Sequence, residues 1–152
     1  MIEYGNESFI ACKDELMPMF AKHYEEIALN KDKIALNPNW EAYSALDQSG
    51  LLKTYTVRSH GRLCGYFVVL LIGGLHYKDH IFAANDLIYI DPTQRKGFTA
   101  WHLLKYAEKD LKGLGVSTMQ VNVKKHKPFD KLLLRLGYTH IENLYSKYIG
   151  DM

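Results

Sequence analysis

Asp86-Leu87-Ile88-Tyr89-Ile90-Asp91-Pro92-Thr93-Gln94-Arg95-Lys96-Gly97-Phe98-Thr99-Ala100 reads as a strand that ends in Asp-Pro, a short basic stretch with one glycine, and the entry to an amphipathic helix. Such a junction gathers unpaired backbone N–H groups and the positive end of a helix dipole at one spot. That is an anion site, most naturally for a phosphate or pyrophosphate, and Arg95 and Lys96 add charge to it. Gly97 permits close approach of the backbone. An ordinary strand–helix turn is the alternative. Neither GxxxxGK[ST] nor GxGxxG with a following acidic residue occurs, which excludes those two phosphate loops.

Downstream, Ala100, Leu103, Leu104, Ala107 and Leu111 make one helical face, with Lys105, Glu108, Lys109 and Lys112 opposite. Gly113 and Gly115 end that helix. Met119, Val121 and Val123 then alternate with Thr118, Gln120 and Asn122, the mark of a half-buried strand. Pro128 opens a short helix that runs through Leu136 and ends at Gly137. Two last strands are expected near 138–141 and 144–149.

Upstream, Leu63 to Ile72 is nearly all apolar, as in a strand covered on both faces. The turn His60-Gly61 joins it to an alternating strand over 51–59, and Gly73-Gly74 separates it from a strand over 81–90. Met1 to Cys12 supplies a first strand. Asp14 caps a helix to about Leu29, with Leu16, Met19, Phe20, His23, Tyr24 and Ile27 as its stripe. Asn37-Pro38 starts a second helix that Gly50 ends. Helices, an antiparallel meander, then βαβα and a final hairpin make the class α/β or α+β with a mixed sheet.

The chain has 152 residues, 19 Lys+Arg, 17 Asp+Glu and a net charge of +2. That length predicts a single domain over 1–152. The balance is too neutral for a nucleic-acid surface, and the longest apolar run is far short of a membrane span. The polar start predicts no targeting segment and a cytoplasmic location. Cys12 and Cys64 stand in unrelated contexts and read as buried, reduced side chains. His76 and His80 have HxxxH spacing, but Tyr77-Lys78-Asp79 between them reads as a hairpin turn, so no metal is expected.

The Arg95-centred junction resembles the acetyl-coenzyme A loop of the GNAT superfamily of N-acetyltransferases, whose pattern is [QR]-x-x-G-x-[GA] after a strand ending in a hydrophobic residue, x and Pro. Starting at Gln94 keeps the glycine at Gly97; starting at Arg95 keeps the family's distance from Pro92 and ends in Ala100, and is preferred. Ser59-His60-Gly61-Arg62-Leu63-Cys64-Gly65-Tyr66 is similar to the hairpin between the family's second and third strands. Leu132-Leu133-Leu134-Arg135-Leu136-Gly137-Tyr138 is similar to the end of its fourth helix. His23-Tyr24-Glu25-Glu26-Ile27-Ala28-Leu29 and Tyr145-Ser146-Lys147 are similar to segments of bacteriophage-encoded members, which would place the protein in a host cytoplasm. The resemblance implies a mostly antiparallel mixed sheet of six to seven strands flanked by about four helices.

It also implies an acetyl-CoA-dependent transfer of acetyl to a primary amine of a small molecule or protein, with no metal. Coenzyme contacts carry over to Ile88, Tyr89 and Ile90, to Arg95, Lys96, Gly97, Phe98, Thr99 and Ala100, and to His126 and Phe129. Lys124, Lys125 and Lys127 could meet the coenzyme's 3′-phosphate. Asp86 stands where relatives carry a base, and His23 and Glu26 where they contact the acceptor. Leu133 replaces the tyrosine acid, with Tyr145 as the substitute candidate. The alternative is a GNAT-fold protein without catalysis that binds CoA or a partner. The Tyr- and Ile-rich last strand offers an edge to a second copy as a homodimer.

Overall fold

The apolar run that begins at Leu63 forms the middle of the sheet. The structure of the protein, a computed structural model, describes residues 1–151. Its strands are β1 (Ile2–Glu7), β2 (Leu52–Ser59), β3 (Arg62–Gly73), β4 (Ile81–Ile90) and β5 (Val116–Gln120), in the spatial order β1-β2-β3-β4-β5. Neighbours are antiparallel except for β4 and β5, which run parallel. The helices are α1 (Lys13–Ile27), α2 (Trp40–Gln48), α3 (Thr99–Gly113) and α4 (Asp130–Arg135). The β2–β3 turn has both central residues at positive φ, His60 at 51° and Gly61 at 79°. That backbone matches the right-handed twist of a two-residue hairpin.

Helices cover both faces of the sheet, as a two-sided apolar strand such as β3 requires. On one face Leu103, Leu104, Ala107 and Leu111 of α3 and Leu133 of α4 pack on Val57, Phe67 and Val69. On the other, Leu16 and Phe20 of α1 meet Tyr66, Val68 and Tyr89, with Trp40 and Tyr43 of α2 alongside.

Several boundaries differ from expectation. The α2 cap is Asn39, whose side chain accepts the Ala42 N–H at 3.0 Å, so Pro38 precedes the helix instead of lying in its first turn. The first strand stops at Glu7, and Cys12 takes the α1 cap position without a side-chain bond.

The larger correction concerns the sheet, which has five strands rather than six to seven. Residues 138–149 form no strand. Tyr138 and Ile141 would fall on opposite faces of a strand, and Leu144, Tyr145, Tyr148 and Ile149 come as adjacent pairs, so neither segment offers a single apolar face. β-Propensity alone does not supply a ladder partner. The edge expected to pair with a second copy is therefore not a strand in this structure.

Arg58 ties the first strand, the first helix and the β2–β3 turn together. Its guanidinium donates to Glu7 at 3.0 Å, to Glu15 at 2.9 and 3.0 Å, and to the Gly61 carbonyl at 2.9 Å. These bonds hold both carboxyls below their ordinary value. Their contribution to stability is complete above the normal glutamate range and is lost as the pH falls through the depressed folded values. Arg58→Met should cost about 1–2 kcal/mol at neutral pH, the partners being partly solvated. Urea melts from pH 7 to pH 3 should show a flatter acid limb for the variant; parallel limbs would remove Arg58 as the cause.

Candidate functional site

One edge of β4 pairs with β3 along its whole length, but the other pairs with β5 only from Ile81 to Ala84, where Ala84 faces Gln120. The next rung is made by a side chain: Asn85 Oδ1 accepts the Asn122 N–H at 2.7 Å. Beyond it no strand lies beside Leu87 to Ile90 on that edge. At the same place the β3–β4 register slips, with Val68 opposite Leu87 and Val69 opposite Asn85. Asp86 is the extra residue of this bulge, a device that re-aims a side chain. It points to α2, where Tyr43 Oη donates to Asp86 Oδ2 at 2.5 Å. A cavity of about 130 Å³ opens there, lined by Ala42, Tyr43, Leu46, Leu70 and Asp86 with Asn39. Burial and the Asp86 carboxylate push the Tyr43 phenol up, so it stays protonated as a donor.

The free stretch of β4 runs into the basic loop. Asp91 N–H donates to the Cys64 carbonyl at 2.7 Å, and the Asp91 carboxylate accepts from the Thr93 N–H and hydroxyl. Gly97 takes φ +73°, which lets the chain turn into α3. Phe98 caps that helix without a side-chain bond. Among the described residues, the N–H groups from Lys96 through Trp101 meet no acceptor. A run of unpaired amides at a helix N-terminus is an anion nest.

Arg95 is fully engaged. Its Nε donates to the Ile90 carbonyl at 2.6 Å, its two terminal nitrogens grip the Glu26 carboxylate at 2.7 Å each, and the guanidinium lies 5.3 Å from the Tyr89 ring centre. That grip holds the Glu26 carboxyl below its usual range. Beside it an open cleft of about 640 Å³ is lined by Lys22, Glu25 and Glu26 of α1 and by Tyr89, Asp91 and Thr93.

The end of β4 thus brings together His23, Glu26, Tyr89, Ile90 and Arg95. His23 is buried: Nδ1 lies 3.0 Å from Tyr66 Oη and the ring 5.1 Å from Tyr89. His126 Nε2 donates to the Ile27 carbonyl at 2.9 Å, so the segment after β5 reaches the end of α1. Lys124 and Lys127 lie close enough to act on His23 and Glu26. Ile88 is half-buried, while Lys96 and Gly97 are exposed beside a buried Thr99 and a half-buried Ala100. The exposed Phe98 ring stands edge-on to His102, 6.3 Å away.

Two candidates do not join the site. Phe129 packs with the α3-side core, and Tyr145 is 88% exposed in the segment without a strand. Leu133 is core packing. His80 bonds to Ser117 at 3.0 Å, and among the described residues no His, Cys, Asp and Glu group is arranged to hold a metal. Both cysteines are free and buried, and burial pushes the Cys12 thiol up to about 11. No helix among the described residues is long and apolar enough to cross a membrane.

Tyr43, Asn85 and Asn122 were not expected at the site. Consecutive polar residues Asn85-Asp86 inside an apolar strand were the signal for a bulge, because regular pleating sends neighbours to opposite faces.

No protein-family model and no curated protein matches this sequence. Solved structures do match its fold. A GCN5-related N-acetyltransferase from Ralstonia eutropha superposes with a TM-score of 0.80 at 13% identity, over 99% of this chain and 100% of that one. A ribosomal-protein-alanine N-acetyltransferase from Brucella melitensis gives 0.74 at 16%, over 99% and 100%. A predicted acetyltransferase from Clostridium acetobutylicum, solved with acetyl-CoA, gives 0.68 at 12%, over 100% and 99%. The chain has the fold of these acetyltransferase structures.

The burial of His23 can be tested without a ligand. Burial lowers the His23 imidazole to about 4. An unfolded histidine titrates near 6.5, so between these values the unfolded state binds more protons and stability falls as the pH is lowered. Long-range ¹H–¹⁵N NMR should show His23 neutral at pH 6 and titrating near 4. An imidazolium signal above pH 5.5 would mean that solvent reaches the ring.

Proposed function

We propose that residues 1–152 form one acetyl-CoA-dependent N-acetyltransferase domain that acts on a primary amine. The observation that carries this reading is continuous in the chain: a β4 edge from Leu87 to Ile90 that pairs with no strand, its Ile90 carbonyl held by Arg95 Nε, leads into unpaired amides from Lys96 to Trp101. An extended pantetheine amide chain needs donors and acceptors of the first kind, and a pyrophosphate needs donors of the second. Lys96, exposed at that loop, adds charge. His126 and the lysines beside it border the same end of α1.

On the acceptor side Asp86 is the base. An alkyl ammonium must lose a proton before its nitrogen can attack a thioester carbonyl. Asp86 takes that proton; the new C–N bond then forms as the C–S bond breaks, sulfur departs as thiolate, and the second nitrogen proton passes through solvent to that thiolate, which leaves a neutral amide and a free thiol. A β4 backbone N–H is the donor available to the carbonyl oxygen as charge builds there. Tyr43 holds the Asp86 carboxylate in place. A thiolate of ordinary pKa, about 8.5, can leave without a full general acid, which removes the need for a tyrosine at Leu133.

Leu133 nevertheless favours a second reading, in which the fold binds the coenzyme and does not turn it over, because a buried leucine at that position supplies no proton donor. Calorimetric titration with acetyl-CoA, followed by free-thiol release against small amines and peptide amines, separates the two. The expected result is micromolar binding with thiol release. Asp86→Asn should lower kcat by about 10²–10³ with acetyl-CoA affinity kept. Binding without release under any amine would favour the second reading, and no binding would end both.

A further inference from the structure

Glu26 holds Arg95 as a phosphate would. The carboxylate presents two oxygens to the two terminal nitrogens at 2.7 Å each, the fork geometry shared by carboxylate and phosphate pairs with arginine. The rest of the guanidinium is fixed from behind, by the Ile90 carbonyl at 2.6 Å and by the Tyr89 ring. Arg95 is therefore aimed, and its aimed side is occupied by a residue of α1. The neighbouring loop amides are not: from Lys96 to Trp101 they meet no acceptor among the described residues. Glu26 thus satisfies the guanidinium and makes no bond to the loop amides. Its side chain is 23% exposed and that of Arg95 40%, so the pair is held near the surface, where an ion pair is worth little and can be exchanged.

We propose that Glu26 is an internal competitor for the anion position on Arg95, which a ligand carrying a pyrophosphate must displace, so that Glu26 weakens the binding of such ligands and leaves ligands without a pyrophosphate unaffected. This rests on the loop binding the coenzyme, as proposed above. A pyrophosphate can fill the amide nest and take over the guanidinium together, and that joint gain displaces Glu26. A ligand without it has nothing to exchange for the Glu26–Arg95 pair. Glu26 then sets the affinity of the loop for its anionic ligand rather than contacting the acceptor. The adjacent Glu25 has the same charge but is 73% exposed and faces Lys31 at 3.5 Å, which makes it the control for simple surface charge.

The test titrates coenzyme A, inorganic pyrophosphate and pantetheine into the wild type, Glu26→Gln, Glu26→Asp and Glu25→Gln. Removing the competitor in Glu26→Gln should tighten coenzyme A and pyrophosphate at least fivefold and leave pantetheine unchanged. Glu26→Asp keeps the charge and loses the reach, so it should tighten both anions as well. Glu25→Gln should stay within twofold. Unchanged or weaker anion binding in Glu26→Gln would overturn the proposal, and so would an equal gain in Glu25→Gln. If pyrophosphate tightens but coenzyme A binds no variant, the competitor stands and the coenzyme reading falls. If coenzyme A binds the wild type and Glu26→Gln equally, the coenzyme reading stands and the competitor falls.

Discussion

The rung between Asn85 Oδ1 and the Asn122 amide is the constraint on which the rest of the structure depends. Two parallel strands that have begun to pair gain a hydrogen bond with each further rung, so separating them needs a substitute for the rung that is lost. Asn85 provides it with a side chain that is longer than a backbone carbonyl, which holds the chains together while setting them further apart. The backbone ladder ends at Ala84, and the second edge of β4 is left open from there to Ile90.

Past the rung β4 alternates between the two faces of the sheet: Tyr89 lies on the α1 side against His23 and Tyr66, while Ile88 and Ile90 lie on the α3 side. Val121 and Val123, the continuation of β5, pack on that same α3 side with Leu103 and Leu133. The bulge at Asp86 follows from the same geometry, since β4 must change direction there without leaving β3.

Much of the fold was legible because its signals are local. The α3 stripe of Leu103, Leu104, Ala107 and Leu111, the two-residue turn at His60-Gly61 and the two-sided run in β3 each follow from spacing that one element imposes on itself. The junction at Arg95 was legible for the same reason. What was not legible depends on partners far apart in the chain. Nothing near Arg95 announces Glu26, and nothing near Asp86 announces Tyr43. The C-terminal segment failed in the opposite sense: Tyr, Thr and Ile carry strand propensity, but Leu144-Tyr145 and Tyr148-Ile149 put apolar groups on both faces, and propensity without a buried face forms no ladder.

The carboxylates around the open end of β4 are not equivalent, and their differences decide which one can take part in proton transfer. Glu26 is held by Arg95, and Asp91 by Thr93 with Lys22 at 4.0 Å. A carboxylate paired with a cation is a weaker base, because protonation must break the pair. Asp86 alone among these has no cationic partner among the described residues; its hydrogen bond comes from a neutral phenol. A neutral donor fixes the carboxylate without cancelling its charge, so the field at the bulge remains negative and open to a positively charged group. An ammonium arriving there meets an uncompensated charge, whereas one arriving at Glu26 or Asp91 must first displace a resident cation. On the proposed reading this difference, more than position along β4, makes Asp86 the residue that receives the proton.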